Sequence, residues 1–230
     1  MDDHQHADGC RDISHLIDGI RRFKADFYER NPELMRDLVE RGQAPATLLI
    51  SCSDSRVDPA LLCGARPGEL FAVRNIANLV PPYQPGASLH GTGAAIEYAV
   101  RDIKVDHIVI LGHAHCGGMK ALLSMAGGNK PPRDFVGDWV AMAMDSCRMY
   151  VQDESQPEGK REVSLERLKE NPDLLERAAI RGSLNNLMTY PWLRERVEAG
   201  NLILHGWWFD LDTGDLWATE PGRLDLLPAF

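Results

Sequence analysis

Three side chains of this sequence have the types and spacing of ligands that share one metal ion. Cys52 opens the motif Cys-x-Asp-x-Arg, and His113 and Cys116 follow downstream as His-x-x-Cys. Thiolates and imidazoles are the ligands that zinc prefers. Structural zinc sites are usually closed by four such ligands, whereas catalytic sites use three, two Cys plus one His among the known sets, and leave one position for water. The count therefore favours catalysis.

Each ligand group follows a run of apolar residues that is typical of a buried strand. Cys52 comes shortly after the run 48–50, and His113 comes directly after the run 108–112. Continuous hydrophobicity indicates parallel strands covered on both faces, and ligand sites collect at the carboxyl ends of such strands. The two glycines after Cys116 precede a helical segment, whose N-terminal N–H groups favour a thiolate.

The other apolar runs predict the elements that surround these two strands. They are a strand at 70–73, a helix at about 92–101 and a C-terminal strand pair at 202–209 and 216–217. Strands that alternate with helices imply a mostly parallel sheet. We therefore predict a single α/β domain over 13–230, with a mostly parallel central sheet flanked by helices, an edge strand pair at its end, and a disordered tail over 1–12.

Composition argues against several classes of partner. The chain has 230 residues, five cysteines and a formal net charge of −9 at pH 7. Because no Lys/Arg-rich run is present, binding to nucleic acid or to an anionic membrane is disfavoured. No secretory signal and no membrane-spanning apolar stretch is recognisable, so we expect a cytoplasmic protein.

An odd number of irregularly spaced cysteines suits a reducing compartment and leaves Cys10, Cys63 and Cys147 without an assigned role.

The ligand motifs belong to a series that resembles the β-class carbonic anhydrases. The motifs are Cys-Ser-Asp-Ser-Arg at 52–56, Val-Arg-Asn-Ile-Ala-Asn at 73–78, Gly-Thr-Gly-Ala-Ala-Ile-Glu-Tyr-Ala-Val at 91–100, Gly-His-Ala-His-Cys-Gly-Gly at 112–118, Ser-Leu-Asn-Asn at 183–186 and His-Gly-Trp-Trp-Phe-Asp at 205–210. The resemblance implies one Zn²⁺ per subunit and the reversible hydration of CO2 to bicarbonate and a proton, with a zinc-bound hydroxide as the nucleophile. Two thiolates cancel the charge of the dication, so we expect a more alkaline working pH than for a three-His site.

Asp54 and Arg56 are the candidate catalytic pair. They lie two and four residues beyond Cys52, so in an extended segment the three side chains point the same way. A guanidinium can hold a carboxylate bidentately and keep it ionised, which lets Asp54 accept the hydroxide proton and orient the nucleophile. An ordinary strand-end salt bridge is the alternative interpretation.

The resemblance also implies a substrate pocket in this chain. Gln43 matches an amide donor to the substrate oxygen, Gly117 offers a backbone N–H, and three residues match the apolar wall: Phe71, Ile76 and Tyr98. An apolar pocket with one or two donors suits CO2, which is uncharged until the reaction gives it carboxylate-like charge. In the family this pocket lies at a dimer interface and takes some wall residues from the neighbouring subunit.

One departure from the family pattern predicts the type of active site. Members that are regulated by a noncatalytic bicarbonate pocket carry Trp three residues before the first cysteine and Gly directly before it. This chain has Leu49 and Ser51 at those places. We therefore predict the unregulated, plant-like type, in which Asp54 pairs with Arg56 and water occupies the zinc at neutral pH.

The N-terminal segment predicts contact between subunits. Apolar residues at helical spacing form a stripe that must be covered: Leu16, Ile17, Ile20, Phe23 and Phe27. Its own core could cover the stripe, but the N-terminal helices of the resembling family wrap the partner. A homodimer or a dimer of dimers is therefore expected.

Two alternative functions keep the same ligands. One is a hydrolase on the same scaffold that acts on CS2 or COS, and the other is a non-catalytic protein in which zinc only ties strands together. A cysteine phosphatase is excluded because the residue six after Cys52 is Asp58 rather than Arg. Dinucleotide binding lacks its third glycine, which Ile96 replaces, and the Cys-x-x-Cys of a thioredoxin-like site is absent from the sequence.

Overall fold

The structure, a computed structural model, describes residues 12–86, 90–129, 133–153, 155–157 and 162–230. The chain forms two compact units, residues 1–43 and 44–230. Almost all of the predicted tail, with Cys10, lies outside the described residues, and the single domain over 13–230 stays a prediction. None of the helices in the described ranges is long and apolar enough to cross a membrane.

The first unit is helical. Helix α1 spans Ser14–Lys24 and continues through a π-helical turn, Ala25–Arg30, and helix α2 spans Pro32–Arg41. Pro32 occupies the first helical position of α2, where its missing N–H costs nothing. The large apolar residues of α1 are exposed.

The second unit contains a six-stranded sheet in the order β2-β1-β3-β4-β5-β6 among the described residues. The strands are β1 (Thr47–Cys52), β2 (Leu70–Asn75), β3 (His107–His113), β4 (Ile203–Phe209), β5 (Leu216–Thr219) and β6 (Leu226–Pro228). The first four strands pair in parallel and the last two are antiparallel. The α/β fold with a mostly parallel sheet is therefore confirmed, and β6 is an edge strand that the sequence pattern did not indicate.

The helices of this unit are α3 (Pro59–Cys63), α4 (Gly91–Glu97, extended by a π-helical turn Tyr98–Ile103), α5 (Gly117–Ala126), α6 (Val136–Tyr150), α7 (Leu165–Glu170), α8 (Pro172–Leu187) and α9 (Pro191–Glu198). Helix α8 packs on one face of the central strands, where Ile180 and Leu184 join the cluster that contains Leu48 and Ile108. Residues of the opposite face, such as Leu49, are buried as well. Burial on both faces explains why the central strands read as continuous apolar runs.

Candidate metal centre

The two ligand groups meet at the carboxyl ends of two neighbouring central strands. Strands β1 and β3 pair in parallel, with Ser51 opposite Leu111, so Cys52 and His113 end at the same edge of the sheet. Cys116 follows at the N-terminus of α5. The ligand atoms of Cys52, His113 and Cys116 all lie within 4.8 Å of one another, and all three residues are buried. The structure thus brings together the three residues that the spacing selected.

The imidazole of His113 is oriented for a metal. Its Nδ1–H donates to the carbonyl of Ala114 at 2.8 Å, so Nε2 carries the lone pair. That Nε2 is fully buried and has no hydrogen-bond partner in the described parts of the chain. A buried polar atom without a partner is costly, and a metal ion between it and the two sulfurs would satisfy it. The donor set and this orphaned nitrogen therefore fit zinc.

The two thiols differ in acidity in the metal-free protein. The hydrogen bond from the Cys116 thiol lowers the pKa of Cys52 most, and the adjacent imidazole of His113 and the backbone N–H groups of Asp54 and Ala77 lower it further, against the effect of burial. The same hydrogen bond and burial raise the pKa of Cys116. Because zinc binds thiolates, loading the site must release the proton that the pair retains.

Arg56 holds the carboxylate of Asp54 in a fork. Its Nε donates to Oδ1 at 2.9 Å and its Nη2 donates to Oδ2 at 2.7 Å, while its backbone N–H also donates to Oδ1 at 3.0 Å. These bonds hold the pKa of Asp54 well below its usual range. Oδ2 lies 3.9 Å from Nε2 of His113. The ionised carboxylate of Asp54 therefore lies next to the ligand cluster but is not one of its members.

Arg74 fixes the loop that carries Cys52 and Asp54, a role that the sequence analysis missed. Its guanidinium donates to the carbonyl of Cys52 at 3.0 Å, to that of Asp54 at 2.7 Å and to Asp58 Oδ2 at 2.8 Å. Asp58 in turn caps α3, accepting from the N–H groups of Ala60 and Leu61. The sequence feature that could have indicated this role is the position of Arg74 near the end of β2, the strand that neighbours β1, within the motif 73–78.

A strained turn packs beside Cys52 and Cys116. Ala77 and Asn78, which follow β2, have φ of 63° and 49°, a left-handed conformation that is unfavourable for residues with a Cβ. Both are buried, and the indole N–H of Trp139 donates to the carbonyl of Ile76 at 2.7 Å. A Cβ at Gly118 would lie 2.8 Å from the Cβ of Ala77. The helix that carries Cys116 can approach this turn only because Gly118 has no side chain.

Replacing Gly118 by alanine should therefore destabilise the protein. The added methyl group would press on Ala77, whose backbone is already held in an unfavourable conformation, and such overpacking typically costs about 1–3 kcal/mol. Urea denaturation of the zinc-loaded protein would measure the change. Gly117→Ala is the matched control, because its Cβ would have nothing within 4 Å; its free energy of unfolding should stay within about 1 kcal/mol of wild type. Equal stability of both variants would contradict the prediction.

The five residues assigned to the substrate pocket are only partly brought together. The rings of Phe71 and Tyr98 are 5.8 Å apart. Ile76, which is 41% exposed, lines a separate cavity of about 890 Å³ that also includes Ser53. Gly117 begins α5 directly after Cys116. Gln43 is exposed and belongs to the first unit. Their roles in binding stay predictions.

His115 lies between two ligands in sequence and outside the cluster in space. It adopts a left-handed backbone, with φ of 59°, which turns its side chain away from the ligands. Its Nε2 pairs with Asp212 Oδ2 at 2.7 Å, while its carbonyl accepts from Arg56 at 3.2 Å.

Comparison with known proteins identifies the family. A model of the carbonic anhydrase family matches residues 47–216. A carbonic anhydrase of Synechococcus elongatus is 36% identical over 203 residues, which cover 87% of this chain and 69% of that protein. One from Synechocystis sp. is 36% identical over 211 residues, which cover 90% of this chain and 71% of that protein. The chain therefore belongs to the carbonic anhydrase family.

Solved structures define the class within that family. The structure of the β-carbonic anhydrase CcaA superposes with a TM-score of 0.77 at 34% identity and covers 94% of this chain and 92% of its own. One of two tetrameric β-carbonic anhydrases from Sordaria macrospora gives a TM-score of 0.70 at 28% identity, covering 91% of this chain and 95% of its own. The protein is thus a carbonic anhydrase of the β class, a lyase.

Proposed function

We propose that this chain hydrates CO2 reversibly at one zinc ion per subunit, held by Cys52, His113 and Cys116, with Asp54 and Arg56 as the catalytic pair. The observation that carries the proposal is the buried Nε2 of His113, which faces two thiols and has no hydrogen-bond partner within the described residues. Membership of the carbonic anhydrase family supplies the reaction.

The chain's own residues would orient the nucleophile. Zinc bound there would act as a Lewis acid that lowers the pKa of water. Two thiolates weaken this effect relative to three histidines, so we expect an alkaline pH range for activity. An ionised carboxylate can only accept hydrogen bonds, so Asp54 would accept one from the O–H of the attacking oxygen and direct a lone pair of that oxygen at CO2. Arg56 holds both carboxylate oxygens and thus limits rotation of that acceptor.

The same pairing supports the plant-like type of active site. In that type Asp54 stays with Arg56, whereas in the regulated type the aspartate moves to the metal as a fourth ligand. The bidentate contact with Arg56 favours the first arrangement, and Asp54 is not part of the ligand cluster. A regulated enzyme would lose activity cooperatively as bicarbonate is added, which initial rates of CO2 hydration over a bicarbonate series would detect.

The apolar pocket would be completed by a second copy of the chain. Ile76 and Tyr98 are 41% and 48% exposed, and the former lines a cavity that contains neither Tyr98 nor Phe71. Walls that are split in one chain can be joined if each subunit lends residues to its neighbour. We propose that Phe71 and Tyr98 act in this way, with Ile76 and the N–H of Gly117 supplied by the subunit that holds the metal, and that the amide of Gln43 donates to the substrate oxygen.

An assembly of at least two subunits would also cover the apolar face of α1. Ile13, Leu16, Ile17 and Ile20 are all exposed, and an apolar stripe of this size on a soluble protein marks an interaction surface. We propose a homodimer or a dimer of dimers.

Replacing Ile20 by glutamate should weaken this assembly. A charge in a buried apolar contact should cost about 2 kcal/mol or more, as at other interface hot spots, and so raise the dissociation constant at least about 30-fold. Sedimentation velocity over a concentration series would measure it. Arg22→Glu, on the polar face of α1, is the matched control, and equal dissociation of the two variants would contradict the assignment.

Two alternatives are separated by one set of assays. A CS2 or COS hydrolase would release sulfide faster than it hydrates CO2. A structural zinc protein would need a fourth protein ligand, whereas the cluster in the described residues has three members. Stopped-flow CO2 hydration, sulfide release and metal analysis on one preparation decide among them. A sample with one zinc per subunit and no hydration activity would overturn the proposal.

We also propose a cytoplasmic location. Four cysteines fall within the described residues, Cys52, Cys63, Cys116 and Cys147, and all are free thiols. Free thiols persist in a reducing compartment, where they bind metal or pack. Fractionation of cells that express the tagged chain would test this.

A further inference from the structure

Glu176 is a buried carboxyl group directly behind the metal ligands. It lies on α8 and is only 4% exposed, which is rare for glutamate. Its Oε1 accepts the backbone N–H of Cys116 at 3.0 Å, and its Oε2 accepts the indole N–H of Trp208 at 3.2 Å. Each oxygen thus has one N–H donor, and one of these donors belongs to a ligand residue.

Trp208 is itself held in place. The guanidinium of Arg177 lies 4.2 Å from the centre of its ring and 4.3 Å from that of Trp217, so the cation stacks on two indoles. Strand β4 pairs Trp208 with Gly112, the residue before His113. The position of the indole N–H is therefore fixed by the C-terminal strands, and it fixes one oxygen of Glu176 in turn.

We propose that Glu176 is a positioning residue of the metal centre, which holds the backbone of Cys116 so that its sulfur meets the ion, and that Trp208 orients Glu176 for this task. The inference rests on the proposed zinc site. The connection runs from the C-terminal strands through Trp208 and Glu176 to Cys116. Hydrogen-bond partners behind metal ligands commonly tune affinity in this way.

The substitution Glu176→Gln probes this connection with almost no change of shape. A glutamine has a single acceptor oxygen, so its NH2 group must face either the N–H of Cys116 or that of Trp208, donor against donor. We expect zinc affinity to fall by about 10–100-fold, the usual cost of losing a partner of a ligand. Trp208→Phe alone keeps the contact with Cys116 but removes the donor to the other oxygen of Glu176, so it should lower the affinity by less than Glu176→Gln does.

The double variant Glu176→Gln/Trp208→Phe gives the sharpest test. With the indole N–H removed, the NH2 group can face the phenyl ring while the amide oxygen accepts from Cys116, so zinc affinity should recover towards that of Trp208→Phe. A role limited to fold stability predicts the opposite, because two destabilising changes would add. Competition with a chromophoric chelator measures the affinity. The sulfur-to-cobalt charge-transfer bands of the Co²⁺-substituted proteins report ligand geometry, and should shift in the single variant and return in the double one.

The outcomes separate this inference from the proposed function. If the wild type binds no zinc at this site, the proposed function fails. If it binds zinc and Glu176→Gln binds equally well with an unchanged cobalt spectrum, only the role of Glu176 is overturned. If Glu176→Gln does not fold, the double variant decides: an affinity within about threefold of Trp208→Phe supports the proposal, and a larger loss overturns it.

Discussion

Replacing His113 by alanine is expected to abolish both zinc retention and CO2 hydration. The imidazole belongs to the cluster of three residues that we propose as zinc ligands, and it is the member supplied by β3. Loss of a hydrogen-bond partner of a ligand lowers metal affinity by about 10–100-fold. Loss of the ligand itself should lower it further. Metal analysis after dialysis against a weak chelator and stopped-flow hydration would measure the two losses on one sample.

The neighbouring histidine supplies the control for this experiment. His115 is two residues away, is exposed, and pairs with Asp212 outside the ligand cluster. His115→Ala should keep one zinc per subunit. If it lost zinc while His113→Ala kept it, the assignment of the ligands would be wrong.

Replacing Asp54 by asparagine should lower turnover by about 10²–10⁴-fold, the range typical of groups that handle a proton in the transition state. The substitution keeps the size of the side chain and removes the charge that Arg56 holds, while the three zinc ligands stay in place. Zinc content should therefore be unchanged. Because the pKa of Asp54 lies well below its usual range, the wild-type rate profile should carry no inflection from this group at neutral or alkaline pH.

Asp212→Asn is the matched control for Asp54→Asn. Asp212 is also a carboxylate near the site, but it is largely exposed and pairs with His115 instead of facing the ligands. Its loss should leave turnover near wild type. Unchanged turnover in Asp54→Asn itself would mean that its contact with Arg56 is an ordinary salt bridge.

The parts of the fold that could be predicted from sequence are those specified locally. The runs before Cys52 and His113 are continuously apolar because β1 and β3 are buried on both faces, and parallel strands place their ends at one edge. The motif His-x-x-Cys was also local in its signal, whereas Cys52 was joined to it by the expected meeting of two parallel strands at one edge of the sheet.

What could not be predicted depends on contacts between distant segments. Helical spacing places Glu176 on the same face of α8 as Ile180 and Leu184. Its partner Cys116 is 60 residues away, however, and the sequence does not show that the two meet. The three bonds of Arg74 require the register of β2 against β1. The left-handed turn at Ala77 contains no glycine, so the sequence does not indicate it. Its close packing against Gly118 is visible only in the structure.

At the proposed zinc site, the pairing of β1 with β3 makes metal content a measure of correct folding. Side chains alternate between the two faces of a strand, so a slip of β1 by one residue would turn Cys52 to the opposite face of the sheet. His113 would then have only one sulfur within reach. The fraction of recombinant chains that retain zinc should therefore report the fraction whose central strands aligned properly during synthesis, before any enzyme assay is run.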